Sequence, residues 1–330
     1  MNQYLSDKIK VLSFLLIVFV LYIHSGFHAD EIAGFKVIAY TQNFISSMLG
    51  RCAVPLFYII SGYLFYLNIP NGIVSIIDKI KKRIKSLVLP YILSALFFVA
   101  FGVSVALVPG TNRFMNSSIL SLFNENWLDI LIKTFYGKNG SAPMAFQLWF
   151  LRDLIILVLF SPIWYFLYKY FKWYWLLLVL IFNIIYPIQT VPLLALLWFG
   201  IGGYLKNFNL NHTSKFVAQT STLVFLALCF LQLSTNSFIW EHLTIPIIAL
   251  GIVAIWYIYD YLVLSDFDLT KNKLLCTCCS FTFFIYLYHE PTLNIVRKLI
   301  VYLVGKNEIG SIHRTVSNII FSKRRIIPAL

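Results

Sequence analysis

Long apolar segments separated by short polar stretches run through most of this chain. About nine of them match the roughly 20 residues of helix that cross a bilayer core. The segments lie at about 11–28, 43–67, 87–108, 147–168, 173–189, 191–205, 216–234, 242–263 and 280–304. The pattern predicts an all-α fold, a polytopic integral membrane bundle of about nine or ten transmembrane helices.

The first apolar segment and the C-terminal tail differ in how they fit this membrane interpretation. The first apolar segment is not followed by a small-residue cleavage site, so we expect it to remain as a membrane anchor. The tail at 305–330 is too polar to span a membrane and is atypical of the rest. Little length remains for a soluble domain, so we expect a single membrane domain over 1–330.

Composition agrees with the apolar pattern. The chain is 60% hydrophobic and only 12% charged, whereas soluble domains carry about 25% charged residues. A net charge of +13 would suggest nucleic acid as the partner of a soluble protein. Here the basic residues cluster beside the apolar segments, which favours anionic lipid headgroups and no nucleic-acid partner.

The distribution of lysine and arginine predicts the orientation. Basic residues are frequent near Lys8, in the run at 79–85 and near Lys169, and they are sparse in the loops between. Because cytoplasmic loops are enriched in these residues, we expect the N-terminus to be cytoplasmic.

A few ionisable residues lie inside the apolar segments. A charge at the bilayer centre costs at least about 2.5–3.5 kcal/mol on insertion scales, so such residues are candidates for function. They are His24, Arg51, Arg152, Asp153, His289 and Glu290.

Arg51 opens the stretch RCAVPLFYIISGYLF. In a regular helix Arg51, Pro55, Tyr58 and Gly62 share one face, and Pro55 leaves the carbonyl of Arg51 without its N–H partner. A kink beside a guanidinium predicts the wall of a polar cavity. An arginine that snorkels to the interface remains the structural alternative.

His24 lies in the outer half of the first segment, about 20 Å from Lys10. An imidazole titrates near neutral pH, so it suits a general base that takes a proton from a hydroxyl group. A histidine that serves only packing is the alternative.

Other ionisable residues lie on later segments. Arg152 and Asp153 are adjacent and point about 100° apart on a helix, so we expect each to pair elsewhere, Asp153 with Arg51 for example. His289 lies near the middle of the last segment, and Glu290 is expected to point away from it.

Two polar stretches outside the spans suggest ligands. Lys79–Lys85 would suit a phosphate-rich cosubstrate from the cytosol, although lipid contact explains such runs equally. The long outer loop at 109–146 carries amide, acidic and tryptophan side chains that suit a sugar or simply water. Cys276, Cys278 and Cys279 lack nearby histidines, so we predict no metal site.

Five fragments in order resemble the membrane-bound acyltransferase 3 family of bacterial integral membrane enzymes. They are LIVFVLYIHS, RCAVPLFYIISGYLF, KKRIKSLVLPY, QLWFLRDL and IYLYHEP. The resemblance implies an enzyme of the bacterial inner membrane that moves an acyl group, often acetyl, from cytoplasmic acyl-CoA to a hydroxyl of a cell-surface carbohydrate. A modifier of a capsule, an exopolysaccharide or a lipid-linked glycan is then expected.

The family's motifs fall on particular positions of this chain. They imply His24 as the catalytic base. Arg51 matches the arginine of the family's second-span motif, and Ser61, Gly62 and Tyr63 match the Ser-Gly-Tyr sequence of the same motif. The resemblance further implies that basic residues before the third span engage the phosphates of CoA, and that residues of the later motifs bind substrate. The residues expected to bind the phosphates of CoA are Lys82, Arg83 and Lys85. Those expected to bind substrate are Tyr63, Arg152, Asp153 and His289.

The chain departs from the family's pattern at two sites. The basic residue that commonly precedes the first histidine by eleven positions is replaced by Ser13. The second arginine of the inner motif is replaced by Ser86, so Lys85 or Lys82 would have to serve.

Two other classes of protein remain open at this stage. A proton-coupled transporter or flippase would also place ionisable residues in broken helices, but its internal repeats are not visible. A membrane scaffold would use the same residues only as structural pairs. The acyl group, the acceptor and the oligomeric state do not follow from the sequence.

Overall fold

The protein is described by a computed structural model that covers most of the chain. The described residues are 2–25, 41–69, 72–108, 119, 121–138, 141–185, 192–208, 210, 214–235, 239–263 and 268–304. Parts of the predicted spans 11–28 and 173–189, part of the outer loop, and the whole tail at 305–330 lie outside them.

All regular structure in the described ranges is helical, which confirms the all-α prediction. The α-helices are α1 Gln3–Ser25, α2 Ala53–Tyr66, α3 Gly72–Arg83, α4 Leu89–Ala106, α5 Trp127–Phe135, α6 Trp149–Leu159, α7 Ser161–Phe171, α8 Tyr174–Ile185, α9 Leu193–Leu205, α10 Lys215–Ser234, α11 Ile239–Leu262, α12 Lys273–Ser280 and α13 Thr282–Val304. Short π or 3₁₀ segments precede α2, α4 and α6 and prolong those helices toward the N-terminus.

Several helices are long and apolar enough to cross a membrane. In the described part of the chain, four such helical stretches are Thr41–Tyr66, Gly72–Ala106, Lys215–Ser234 and Leu243–Leu262. The pair formed by Phe146–Leu159 and Ser161–Phe171, bent by 60°, makes a fifth if it is one span. The protein is therefore a multi-pass membrane protein, but the prediction of nine or ten spans is not confirmed.

The bend between α6 and α7 has a local cause. Pro162 lies in the first turn of α7, where its missing N–H needs no partner. Proline cannot continue the preceding helix, because it lacks the N–H that would bond to that helix. The helix α6 therefore ends at Leu159 and a new helix begins at Ser161.

The outward faces of several helices are apolar. Leu93, Phe97 and Phe101 on α4 and Leu178 and Ile181 on α8 are exposed. Contiguous exposed apolar surface is unusual in a soluble monomer. It is expected where the surrounding medium is lipid.

The chain forms two compact units by its internal contacts. The first contains residues Met1–Ile60 and Asn207–Leu330, and the second contains Ser61–Lys206. Helix α2 continues through the boundary between Ile60 and Ser61. A single functional domain over 1–330 stays a prediction.

In the first unit, α1 packs against α13, α12 and the irregular segment that precedes α2. Its inward face consists of large aliphatic side chains, and Leu12, Leu16 and Ile17 are almost fully buried. Helices α10 and α11 form an extensive antiparallel contact in the same unit. This packing fixes the C-terminal end of α1, where His24 lies.

A buried ion pair ties the start of α1 to the end of α11. The ammonium of Lys8 lies 2.8 and 2.7 Å from the two carboxylate oxygens of Asp260, and the hydroxyl of Tyr4 donates to the same carboxylate at 2.6 Å. The side chains of Lys8 and Asp260 are 0% and 2% exposed. The ring of Trp256, 4.1 Å from the ammonium, covers the remaining side.

The second unit is held by aromatic packing around the end of α2. The ring of Tyr66 lies edge-on to those of Phe65 and Tyr168, at 5.1 Å in each case. The hydroxyl of Tyr66 donates to the carbonyl of Ser161 at 3.0 Å, so this buried polar group is satisfied. Tyr168 donates to the carbonyl of Gly200 on α9 at 2.5 Å.

Replacing Lys8 with methionine should destabilise the protein. The substitution leaves the buried carboxylate of Asp260 without its cation, which costs about 3–5 kcal/mol in comparable buried pairs. Unfolding of the detergent-solubilised full chain measures the effect. Lys10→Met is the matched control, because the Lys10 side chain is 52% exposed and its pair with Asp7 should contribute below about 1 kcal/mol. Equal destabilisation by the two substitutions would contradict a larger contribution from the buried ion pair of Lys8 and Asp260.

Candidate functional site

Three ionisable side chains of the first unit meet between α1 and α13. Nδ1 of His24 lies 3.4 Å from Oε2 of Glu290, and the rings of His24 and His289 are 5.2 Å apart between centroids. The side chains of His24 and Glu290 are 20% and 18% exposed. A carboxylate beside an imidazole orients the ring and stabilises its protonated form, which is the arrangement of a general base.

His289 adds an open acceptor to this cluster. Its Nδ1 lies 2.7 Å from the carbonyl oxygen of Tyr286, and a carbonyl can only accept, so Nδ1 carries the proton. In the neutral ring, Nε2 is then an acceptor. This atom is buried and has no hydrogen-bond partner among the described residues. Such a group is rare in a folded protein and suits a ligand hydroxyl.

Glu290 corrects one expectation from the sequence. We expected it to point away from the other ionisable groups, because neighbours on a helix face different directions. The long carboxylate side chain instead reaches His24 across the interface between α1 and α13, while His289 turns its ring toward the same histidine. Glu290 thus joins the candidate site, whereas the sequence marked it as an ionisable candidate without giving it a role.

The same three residues could also hold a metal ion, because their candidate ligand atoms all lie within 4.8 Å of one another. Ligand atoms around a tetrahedral zinc lie about 3.3 Å apart, given bonds of 2.0–2.1 Å. The side chains would therefore have to contract around an ion. Nδ1 of His24 and Oε2 of Glu290 already lie 3.4 Å apart, so the cluster has the groups to hold an ion or to handle protons.

Arg51 lies in an irregular part of the second helical stretch. A π segment, Phe44–Leu49, passes into a 3₁₀ turn, Gly50–Cys52, and α2 begins only at Ala53. Pro55 therefore falls in the first turn of α2, where a missing N–H is tolerated. The helix is therefore irregular just before Pro55, while the face shared by Arg51, Pro55, Tyr58 and Gly62 stays a prediction.

The backbone around Arg51 lies against the end of α1. A methyl group placed on Gly50 would come within 2.6 Å of the side chain of Ile23. Gly50 and Ile23 immediately precede Arg51 and His24, so the two candidate residues follow a close contact between their helices. Arg51 is partly exposed and has no hydrogen bond or ion pair to any described residue of its own unit. A polar cavity lined by Arg51 stays a prediction.

The step Ser61, Gly62 and Tyr63 lies in the second unit. A Cβ atom on Gly62 would overlap the carbonyl oxygen of Phe199 and lie 3.2 Å from the backbone nitrogen of Gly203. Glycine at this position thus permits α2 and α9 to touch through their backbones, as small residues do between membrane helices. Tyr63 is buried, and its role in substrate binding stays a prediction.

Arg152 and Asp153 pair with each other, contrary to our expectation. Nε of Arg152 lies 2.8 Å from the carboxylate of Asp153, and the guanidinium also donates to the carbonyls of Tyr136 and Ser141 at 2.5 and 3.1 Å. The 100° offset describes the Cβ directions, and the long arginine side chain bends across it. Arg152 therefore fastens the segment that contains Tyr136 and Ser141 to α6. A contact of either residue with substrate stays a prediction.

Part of the predicted outer loop is folded. Helix α5 carries an exposed apolar face that includes Trp127, Leu128 and Leu131. Its C-terminal end is held by Tyr91 of α4, whose hydroxyl donates to the carbonyl of Phe135. The sugar-binding and solvated-loop interpretations remain open for this segment.

The basic residues before α4 have different surroundings. Lys82 and Lys85 are exposed, whereas Arg83 is partly buried. Arg83 lines a cavity of about 20 Å³ together with Ser61, Phe65, Leu87, Leu154 and Val158. A volume of this size holds about one water molecule. Binding of CoA phosphates by these residues stays a prediction.

Comparison with known proteins agrees with the resemblance seen in the sequence. A family model described as an acyltransferase domain, that of the acyltransferase 3 family, matches residues 7–321. No curated protein and no solved structure shows significant similarity to the chain.

Replacing Gly62 with alanine should destabilise the second unit. The added methyl group meets backbone atoms of α9 that cannot rotate away, and overpacking of this kind costs about 1–3 kcal/mol. Thermal unfolding of the purified protein in detergent measures the loss. An unchanged unfolding temperature would mean that α2 and α9 do not touch at Gly62.

Proposed function

The chain belongs to the acyltransferase 3 family, and from this membership we propose a membrane O-acyltransferase that uses cytoplasmic acyl-CoA, acetyl-CoA above all. The acceptor is a hydroxyl of a cell-surface or cell-wall carbohydrate, and the enzyme acts in the bacterial inner membrane. The observation that carries the proposal is the cluster of His24, His289 and Glu290 inside apolar helices.

The cluster supplies the two functions that a hydroxyl acceptor needs. Glu290 orients the ring of His24 and stabilises the imidazolium that forms when His24 accepts a proton. His289 offers Nε2 as an acceptor that positions the hydroxyl, because its Nδ1 is already committed to the carbonyl of Tyr286.

The reaction balances with these groups alone. The acceptor oxygen attacks the thioester carbonyl and forms a new C–O bond while His24 takes the hydroxyl proton. The tetrahedral oxyanion then collapses, the C–S bond breaks, and the proton passes from His24 to the departing CoA thiolate. Arg51 follows the contact of Gly50 with Ile23, so we assign it to stabilisation of the oxyanion.

The surroundings of the cluster support group transfer rather than hydrolysis. The helices that carry His24 and His289 are apolar along most of their length, and Leu287 on α13 and Leu16 and Ile17 on α1 are buried. A site with little water protects an acyl group from hydrolysis before the acceptor hydroxyl arrives.

Replacing His24 with alanine should abolish acyl transfer. A positioned general base contributes about 10²–10⁴ in rate, so we expect a loss of this size with the folded protein retained. Mass spectrometry of O-acyl groups on surface glycans, from cells that carry either variant, measures the activity. Lys10→Met, on the same helix, should keep wild-type levels. Full O-acylation with His24→Ala would refute the assigned base.

Replacing Glu290 with glutamine should lower kcat more than it changes KM. The substitution keeps the shape of the side chain but removes the charge that orients His24, and comparable changes in catalytic triads reduce kcat by up to about 10⁴-fold. Release of free CoA thiol by the purified protein, with the isolated glycan as acceptor, gives both constants.

A chelator separates the proton-transfer interpretation from a metal site. If His24, His289 and Glu290 act through protons, prolonged dialysis against 1,10-phenanthroline should leave the rate of CoA release unchanged. Loss of activity that zinc restores would replace the general base by a metal centre.

A further inference from the structure

Four basic side chains of the second unit lie near one another where α2, α3 and α9 end. The ammonium of Lys79 donates to the carbonyl of Phe65, and that of Lys206 lies 5.8 Å from the ring centre of Tyr66. Arg83 lines a small cavity together with Phe65, and Lys82 precedes it on α3. Three of the four belong to the basic run of α3. Lys206 comes from more than 100 residues further along the chain and carries no motif.

The acidic residues of this unit do not neutralise the group. The unit contains Asp78, Glu125, Asp129 and Asp153. The last three pair with Lys133, Lys138 and Arg152 respectively. Asp78 is exposed and forms no ion pair with any residue that the structure describes. The group is therefore an uncompensated cluster of positive charge, which an anion would stabilise.

Lys79 and Lys206 flank the end of α2. Lys79 donates to the carbonyl of Phe65 at 2.7 Å and also to that of Leu67, so it caps the helix. The ammonium of Lys206 lies 5.8 Å from the ring centre of Tyr66, whose own position is fixed by burial and by its bond to Ser161. The ring of Tyr66 therefore positions the ammonium of Lys206 near Lys79 at the end of α2.

The four cations are not equivalent. Lys79 is committed to helix carbonyls, and its role there is structural. Lys206, Lys82 and Arg83 have no hydrogen bond or ion pair from their side chains to the described residues, so their donors can serve a ligand. Lys169, near the end of α7 in the same unit, is exposed and has no assigned role, so it provides a matched control.

We propose that Lys206 acts together with Lys82 and Arg83 as a binding site for several phosphate groups. The ligand is the adenosine 3′-phosphate 5′-diphosphate portion of acyl-CoA, so the inference rests on the proposed function. Phosphates carry several acceptor oxygens, and the ammonium and guanidinium groups bind them through charge-assisted hydrogen bonds.

Binding of adenosine 3′,5′-diphosphate to the purified full chain, measured by isothermal titration calorimetry, tests the site without requiring catalysis. A hydrogen bond to a charged group contributes about 1.5–3 kcal/mol, so Lys206→Gln should weaken binding about tenfold or more. Lys169→Gln removes the same charge from an exposed position at the end of α7 and should change the affinity less than about twofold. Lys206→Arg should bind nearly as well as the wild type.

Three outcomes separate the inference from the proposed donor. Equal weakening by Lys206→Gln and Lys169→Gln, or no weakening by the first, overturns the assignment of Lys206 while acyl-CoA remains the donor. No binding of adenosine 3′,5′-diphosphate or of CoA by the wild type overturns the donor and the site together. Unfolding temperatures of all variants show whether a loss of affinity reflects a loss of folded protein.

An anionic lipid headgroup presents the same phosphate chemistry. Nanodiscs that contain phosphatidylglycerol or only phosphatidylcholine distinguish the two sources. Adenosine 3′,5′-diphosphate should bind in both, and Lys206→Gln should weaken it in both. If phosphatidylglycerol displaces the nucleotide completely, and Lys206→Gln weakens only lipid retention, the site belongs to lipid and the proposal is wrong.

Discussion

The cost of placing charge among apolar helices governs this structure. An isolated ion in a medium of low dielectric constant is expensive, so a buried charge persists only with partners that replace water. Lys8 and Asp260 show the rule in its complete form, because each carboxylate oxygen, the ammonium and the Tyr4 hydroxyl are engaged. Arg152 follows it with one carboxylate and two carbonyls.

Buried polar groups that lack a full set of partners are the candidates for catalysis. Nε2 of His289 is buried without a partner among the described residues, and the pair of His24 and Glu290 is spaced more loosely than a strong hydrogen bond. Catalytic hydrogen bonds are often long in the absence of substrate and shorten in the reacting complex. The cluster can therefore bind a hydroxyl group and accept its proton. The ion pair of Lys8 and Asp260 cannot, because its polar atoms are all engaged.

The cations at the end of α2 depart from the rule in another way. Lys79, Lys206 and Arg83 all lie beside Phe65 or Tyr66, and three of the four acids of their unit pair with other basic residues. Folding alone does not explain this arrangement, since only Lys79 caps a helix. Family membership shows an acyltransferase, and it leaves the donor and the acceptor to be argued from such charges and from the histidine cluster.

The sequence by itself determined the helical class, the membrane setting and the family. These follow from apolar length, from low charge content and from five short fragments in order, all of which are local along the chain. His24 and His289 were also visible as candidates, because an ionisable residue in an apolar segment stands out without a structure.

Tertiary structure alone decided the partnerships. Glu290 could not be assigned to His24, nor Lys206 to the basic run of α3, because each pair is separated by more than 100 residues and depends on how helices pack. The pairing of Arg152 with Asp153 was missed for a different reason, since helix periodicity gives the direction of Cβ and not the reach of a long side chain. Electrostatic partners are chosen in three dimensions, where distance and the exclusion of water set the energy.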